Sequence, residues 1–406
     1  MQGMGKLPPL RNIQAALRET SETLARELAN PTANAPDWSE CEWRIARAVT
    51  VLHGISSLLP HRVPWRGPPG WSRFLVEQTS HTEDRQLRIR ALLGALDATA
   101  GAAGIPFVAL KGAALQAAGL YGIGERPMAD LDLLIDTADA KAMTQILEDM
   151  RFGETAVTWK HRVFEASVRP GAAPFGEHSD NGIKIDLHVR IRELLPRRPV
   201  DVTDLILPLR PRPGLNPYRS PAALMIHLLL HAAGAILTRT LRLVQLHDLA
   251  LLSQRMSGQD WDEVLAATGP PRGLWWAVPP LTLVERYYRV IPARVLAAAS
   301  AQCRSALLRT AGRRLLWEVS FSDMRRSVFP GIEWARSAGE ALAYVVERTL
   351  LSARILCGAP VPGATAAVAG VSAASTSKVP PLRWMALRPL RPATLNAVRY
   401  AFAQPG

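Results

Sequence analysis

The spacing of apolar residues divides the chain into helical stretches on either side of a short region that alternates like a sheet. In residues 9–60, 72–103 and 274–356 apolar positions recur every three or four residues, the spacing of a buried helix stripe. Between them lie apolar and alternating segments that are typical of strands. These predicted strands are 108–110, 131–135, 154–159, 162–169 and 183–191. The pattern predicts an α+β protein with a small sheet flanked by N-terminal and C-terminal helical regions.

Composition shifts predict four parts. Gly101 and Gly104 end the long helix before the sheet, and a Pro/Arg-rich connector follows the last strand. An Ala, Gly, Ser and Pro-rich stretch at 358–381 has the composition of a flexible linker. The expected boundaries are 1–104, 105–192, 193–356 and 357–406.

One strand carries two carboxylates on one face. Asp130 and Asp132 are two residues apart, so both point away from the apolar residues between and after them. Solvent exposure at a strand end would explain them, but carboxylates beside a core favour a neutralising cation. Lys111, Gly112 and Arg126 lie just upstream, which favours a site for Mg²⁺ or Mn²⁺ with a phosphate. Removing one of two repelling charges, by Asp132→Asn, is expected to abolish function without loss of stability.

The last predicted strand carries a third carboxylate. Asp186 shares one face with His188 and two basic residues, while apolar residues occupy the other face. This is either a solvated strand face or a third metal ligand, with His188 orienting a carboxylate. Asp180-Asn-Gly182 before it predicts a tight hairpin turn.

Two features of the second half also have alternative explanations. His227 and His231 are four residues apart, but the leucines between them favour buried, hydrogen-bonded histidines over metal ligands. Arg242 and Asp248 could face a cleft, and an internal ion pair or charges on a helix surface would explain them equally well.

Together these motifs resemble a known family. Leu110-Lys-Gly, Tyr121, Arg126, Asp130-Leu-Asp-Leu-Leu-Ile and Ile185-Asp-Leu-His occur in the order of the uncharacterised nucleotidyltransferase family of the polymerase-beta-like superfamily, over roughly residues 70–265. The resemblance implies a small mixed-sheet catalytic core and transfer of a nucleoside monophosphate from an NTP to an acceptor hydroxyl. ATP is the expected NTP. The chain departs from the superfamily pattern at Ala113, where many members have Ser, and at Val189, where the family often has an aromatic residue.

The resemblance also implies roles for individual residues. Asp130 and Asp132 would hold Mg²⁺ or Mn²⁺ against the triphosphate, and Asp186 would complete the metal site. Lys111, Gly112 and Arg126 would contact the phosphates. The acceptor is left open among small molecules, peptides, proteins and RNA. The rival interpretation is a degenerate nucleotidyltransferase fold that binds without turnover.

Charge and cysteine content add little to this. The net charge is +13, but only six of the 48 basic residues are lysines and the arginines are scattered, so nucleic-acid binding is possible but not supported. The three cysteines are far apart and fit no disulfide or zinc spacing. With no signal sequence and no apolar run of roughly 18 residues, we expect a cytoplasmic protein without a transmembrane segment.

Overall fold

The structure is a computed structural model of the chain. It describes residues 7–166, 175–195, 198–268, 273–303, 305–322, 329–356 and 390–404. The linker predicted at 358–381 lies outside the described residues.

Helices form most of the described structure on both sides of the sheet region in the chain. They are α1 (Leu10–Ala29), α2 (Glu40–His53), α3 (Leu59–Arg62), α4 (Pro69–Ala102), α5 (Gly112–Ala117), α6 (Ala140–Asp149), α7 (Thr203–Ile206), α8 (Pro221–Thr238), α9 (Leu243–Arg255), α10 (Gly258–Ala267), α11 (Val278–Tyr288), α12 (Ala293–Gln302), α13 (Ala306–Gly312), α14 (Leu316–Ser320), α15 (Ala338–Leu356) and α16 (Pro392–Ala403). Short 3₁₀ turns lie at Thr137–Asp139, Trp275–Ala277 and Ile332–Trp334.

The helix starts follow local sequence rules. At α2, the Ser39 hydroxyl accepts the Glu42 N–H while the Glu42 carboxylate accepts the Ser39 N–H, so two otherwise unpaired donors are satisfied. At α8, Ser220 caps the Ala223 N–H and proline occupies the first helical position, where its missing N–H costs nothing.

The sheet is mixed, as expected. Its strands are β1 (Pro106–Ala109), β2 (Asp130–Ile135), β3 (Phe152–Val157), β4 (Arg162–Ala166), β5 (Lys184–His188), β6 (Arg192–Leu195), β7 (Arg198–Asp201) and β8 (Gly214–Asn216). Six of them form one sheet in the order β3-β4-β5-β2-β1-β8, and β6 and β7 form a separate hairpin. Strand β2 pairs parallel with β5 and antiparallel with β1. The α+β class is therefore confirmed, and β8 comes from the segment beyond residue 193.

The two faces of this sheet contact different cores. Leu131, Leu133 and Ile135 of β2 lie in a core that also contains residues of α4 and α6, and their alternation predicted that they face a core. Leu134 faces the other way, into the larger core of the helical half. Since residues two apart share a face, Asp130 and Asp132 lie on the Leu134 side. The carboxylates therefore look toward the helices that follow the sheet.

The hairpin prediction at Asp180-Asn-Gly182 is wrong. Strands β4 and β5 do pair antiparallel, but β4 ends at Ala166 and β5 begins at Lys184, so the turn lies inside a long connection. Its Asn181 and Gly182 carbonyls accept hydrogen bonds from Arg85 of α4, a contact that a turn motif does not encode.

One helix among the described residues, α8, is long and apolar enough to cross a membrane by length and composition, with a mean hydropathy of 1.7. However, 78% of this segment is buried inside the protein, as in the core helix of a globular domain.

Candidate active site

The register of two parallel strands brings the predicted acidic residues together. Asp132 of β2 lies directly beside Asp186 of β5, and Leu134 lies beside His188. Asp130 is one step earlier on the same face of β2 and is exposed. All three predicted carboxylates are thus on one sheet face, at neighbouring positions.

Asp132 is neutralised from within the protein. Its Oδ1 accepts a hydrogen bond from Lys111 Nζ at 2.7 Å and lies 3.0 Å from His188 Nε2. Burial opposes ionisation of this carboxyl, but Lys111 and His188 outweigh it and hold the Asp132 pKa well below its usual range. For Lys111, burial likewise opposes the charge, and the neighbouring carboxylates outweigh it and raise the Lys111 pKa.

Asp186 has the opposite environment. It is only 8% exposed, and its buried Oδ1 has no hydrogen-bond partner. Its Oδ2 lies 3.4 Å from His161 Nε2. Burial, followed by repulsion from Asp132 and Asp130, raises the Asp186 pKa to about 7. A cation bound beside Asp186 would favour its charged form, and among the described residues no lysine or arginine lies within ion-pair distance of it.

Gly112, the residue after Lys111, is closely packed against its neighbours. A Cβ on Gly112 would come within 2.3 Å of Arg126 Nη1 and 2.8 Å of Met128 Sδ. Arg126 in turn makes two hydrogen bonds to Asp248, Nε to Oδ1 at 2.8 Å and Nη2 to Oδ2 at 2.7 Å. Tyr121 donates to the same carboxylate at 2.6 Å. Asp248 thus forms an internal ion pair, with Arg126 as its partner, while Arg242 is exposed.

Lys111 itself has an unusual backbone. Its φ is +49°, in the region that favours glycine, and its N–H donates to the Tyr218 hydroxyl at 3.2 Å. The Tyr218 hydroxyl also lies 2.7 Å from His227 Nδ1. The strained turn is therefore held from the helical half, and it aims the lysine side chain at Asp132.

A cleft of about 320 Å³ opens in front of these residues. Lys160 and Glu193 form an ion pair on its wall, and Arg242 lines it with an exposed side chain. A Cβ on Gly234 of α8 would lie 2.5 Å from the Glu193 carboxyl carbon, so the glycine makes room for this pair. Lys160, Glu193 and His161 are site residues that sequence reasoning missed, because no motif marks them.

The comparison with protein families fits this geometry. A family model described as "Uncharacterised nucleotidyltransferase" matches residues 39–269, more than half of the chain. The chain belongs to this nucleotidyltransferase family. The match begins at α2, well before residue 70 where the motif resemblance started, and covers every strand of the sheet. Searches of curated proteins and of solved structures found no match.

In this nucleotidyltransferase family member, Arg85 on α4 fixes the entry to both acidic strands. Its guanidinium donates to the Met128 and Ala129 carbonyls before β2, both at 2.6 Å, and to the Asn181 and Gly182 carbonyls before β5 at 3.1 and 2.9 Å. One buried arginine therefore joins the two segments that lead to Asp130 and Asp186.

The two histidines of α8 are buried side chains with partners. His227 contacts the Tyr218 hydroxyl, and His231 Nε2 lies 2.7 Å from Gln245 Nε2. Burial holds the pKa of each well below the usual range, so both are neutral. The interpretation as hydrogen-bonded core histidines fits these contacts.

Proposed function

We propose that this chain is a metal-dependent nucleotidyltransferase that moves a nucleoside monophosphate from an NTP, ATP for choice, to a hydroxyl of an acceptor. The observation that carries the proposal is the pair Asp132 and Asp186, side by side on parallel strands, with a buried Asp186 oxygen that lacks a partner. Family membership supplies the reaction class.

The donor set fits Mg²⁺ or Mn²⁺, which prefer carboxylate and water oxygens. Asp130 and Asp132 would hold one metal against the triphosphate, and Asp186 would hold a second. When bound, the first would neutralise phosphate charge and the second would lower the pKa of the acceptor hydroxyl. The unpartnered Asp186 Oδ1 supports this fit, since a buried ionised carboxylate is costly without a cation.

Basic residues of the cleft would bind the triphosphate. Lys111 Nζ stands beside the carboxylates and is suited to a phosphate oxygen as a point charge. Arg126 is bound to Asp248 through two nitrogens, so its role is to hold the turn at Gly112 as well as to face the cleft. We assign a direct phosphate contact to exposed Arg242 in addition.

Charge balance supports a metal requirement. The cleft lining carries four basic side chains and four acidic ones, so its formal charges cancel. The basic ones are Lys111, Arg126, Lys160 and Arg242, and the acidic ones are Asp130, Asp132, Glu193 and Asp248. A triphosphate therefore gains net attraction only after a cation binds. We expect NTP affinity to disappear with a chelator.

The test is transfer of label from nucleotides into cell extract. Protein, Mg²⁺ and extract are incubated with each NTP labelled at the α-phosphate, and ATP labelled at the γ-phosphate is run in parallel. Nucleotidyl transfer labels the acceptor from the α position only. Asp186→Asn should lose the signal, whereas Asp180→Asn, an exposed residue outside the cleft, should keep it.

Other results would contradict the proposal. Labelling from the γ-phosphate alone would indicate a phosphotransferase. Metal-dependent NTP binding with no labelled product in any extract that supplies small molecules, peptides, proteins and RNA would favour the degenerate binding module instead. The labelled product identifies the acceptor and shows whether it is RNA.

A further inference from the structure

Two histidines, His161 and His188, lie close to Asp186. His161 precedes β4 and His188 ends β5, and their rings are 4.8 Å apart between centroids. One ligand atom from each of His161, Asp186 and His188 lies within 4.8 Å of the other two. The third carboxylate therefore has two imidazole rings close to it.

The distance between His161 and Asp186 suits a shared ion better than a hydrogen bond. His161 Nε2 and Asp186 Oδ2 are 3.4 Å apart, beyond the usual 2.7–3.2 Å range of N–H···O bonds. Two ligands of a tetrahedral Zn²⁺, each about 2.0–2.1 Å from the metal, lie roughly 3.3 Å apart. His188 Nε2 lies 3.0 Å from Asp132 Oδ1, and metal binding through this nitrogen would replace that hydrogen bond.

One buried atom beside this position has no hydrogen-bond partner. It is Asp186 Oδ1. Asp186 is more than nine-tenths buried, and the neighbouring Lys111 is hydrogen-bonded to Asp132. A buried polar atom without a partner points to a missing ligand, and a cation beside Asp186 is the ligand that its charge requires.

We propose that His161, Asp186 and His188 bind a transition-metal ion of the Zn²⁺ class in preference to Mg²⁺. Imidazole suits Zn²⁺ and its neighbours, whereas carboxylate and water suit Mg²⁺. Two histidines and one carboxylate leave an open position, as in catalytic zinc sites, for water or an acceptor oxygen. This deepens the proposed function, on which it rests for the use of the ion, by giving the third carboxylate a different metal from Asp130 and Asp132.

The test uses Co²⁺ as a spectroscopic substitute for Zn²⁺, on the full chain and without nucleotide. Bound Co²⁺ should give visible absorption and paramagnetically shifted proton NMR signals from two imidazole rings. Zn²⁺ should displace it stoichiometrically, and Mg²⁺ should not displace it at a hundred-fold excess. His161→Gln should leave the signals of one ring.

The size of the effect follows from known metal sites. Substitution of a residue that hydrogen-bonds a metal ligand costs roughly 10–100-fold in metal affinity. Loss of the His161 ligand itself should therefore cost at least ~100-fold. His178→Gln is the matched control, because His178 lies at the same 3.4 Å from Asp180 but on the surface. It should bind Co²⁺ as the wild type does.

Several results would overturn this inference. They are displacement by Mg²⁺ at a similar concentration, shifted signals from no imidazole, and unchanged affinity in His161→Gln. If a variant fails to fold, the number of shifted imidazole signals in the wild-type protein still tests the inference. The Co²⁺ test contains no nucleotide, so a failure to bind Co²⁺ does not contradict transfer from α-labelled NTP. A failure of transfer likewise does not contradict Co²⁺ binding.

Discussion

Asp132 and Asp186 are neighbours of identical chemistry with opposite electrostatics. Lys111 and His188 stabilise the charge of Asp132, whereas burial and its acidic neighbours disfavour the charge of Asp186. The sequence argument that removing one carboxylate relieves repulsion therefore applies to Asp186. At Asp132 the same change would leave the Lys111 charge without its partner.

We predict opposite effects of the two Asn substitutions on the metal-free protein. Asp186→Asn should keep or raise the free energy of unfolding, and Asp132→Asn should lower it by about 3 kcal/mol. The difference should be clearest at pH 8, because the raised pKa of Asp186 means that its destabilising charge forms as pH rises through about 7. Urea unfolding in EDTA measures both. Equal shifts for the two variants would refute the assignment.

His53 gives a pH dependence with a definite sign. It is fully buried at the end of α2, its Nδ1 accepts the Leu243 N–H at 3.1 Å, and burial lowers its pKa to about 3. Below the usual His pKa of about 6.5 the unfolded chain binds a proton that the folded chain does not. Stability is therefore present above that pH and is lost as pH falls.

We predict that between pH 7 and pH 5 the wild type loses about 2 kcal/mol more stability than His53→Gln. The other buried histidines contribute equally to both proteins, so the difference isolates His53. Urea unfolding at the two pH values is the measurement. Parallel pH profiles of the two proteins would show that His53 is protonated in the folded state.

At the scale of elements, the turn between β1 and α5 depends on the absence of a side chain. We predict that Gly112→Ala lowers the free energy of unfolding by about 1–3 kcal/mol, because the added methyl overlaps Arg126 and Met128. It should also weaken metal-dependent NTP binding, since the arginine cannot move without breaking its bonds to Asp248.

Gly94→Ala is the control for that change. Gly94 lies within α4 with nothing within 4 Å of an added Cβ, so the substitution should stabilise by roughly 0.5–1 kcal/mol. Thermal melts and calorimetric NTP titrations of both variants give the comparison. A neutral Gly112→Ala would mean that the packing around Arg126 can relax.

The arginine of α4 acts on two strands at once. We predict that Arg85→Lys weakens metal binding, because one ammonium cannot donate to all the carbonyls that precede β2 and β5. Arg88→Lys, on the same helix with one exposed contact at 3.4 Å, should bind metal normally. Metal titration by calorimetry distinguishes them, and similar affinities in both variants would contradict the role given to Arg85.

At the scale of the whole molecule, local sequence patterns predicted the sheet and its acidic residues. They did not predict contacts between residues that are far apart in the chain. Alternation in β2 and β5 follows from side chains two residues apart sharing a face, so it can be read from the sequence. The bonds of Arg126 to Asp248 and of Arg85 to Met128 join residues 122 and 43 positions apart. Sequence alone showed neither pairing.

The hairpin error has the same origin. Asp180-Asn-Gly182 is a favourable turn sequence, but its backbone is held by a helix that lies about a hundred residues earlier, with separations of 96 and 97 positions to Arg85. Glu193, the partner of Lys160, likewise fits on the cleft wall because Gly234 of α8 lies opposite its carboxylate. Tertiary partners, rather than local propensity, decided these positions.

The burial of α8 has a consequence for biosynthesis. Although α7 and β6 also contact it, much of its apolar surface is covered by α9, α10, α11 and α14, which follow it in the chain. A nascent chain that has reached Thr238 therefore exposes a segment as apolar as a membrane-spanning helix, before α9, α10, α11 and α14 have been synthesised. Ribosome-bound chains halted near residue 240 should recruit chaperones or membrane-insertion factors, and chains extended past residue 320 should escape them.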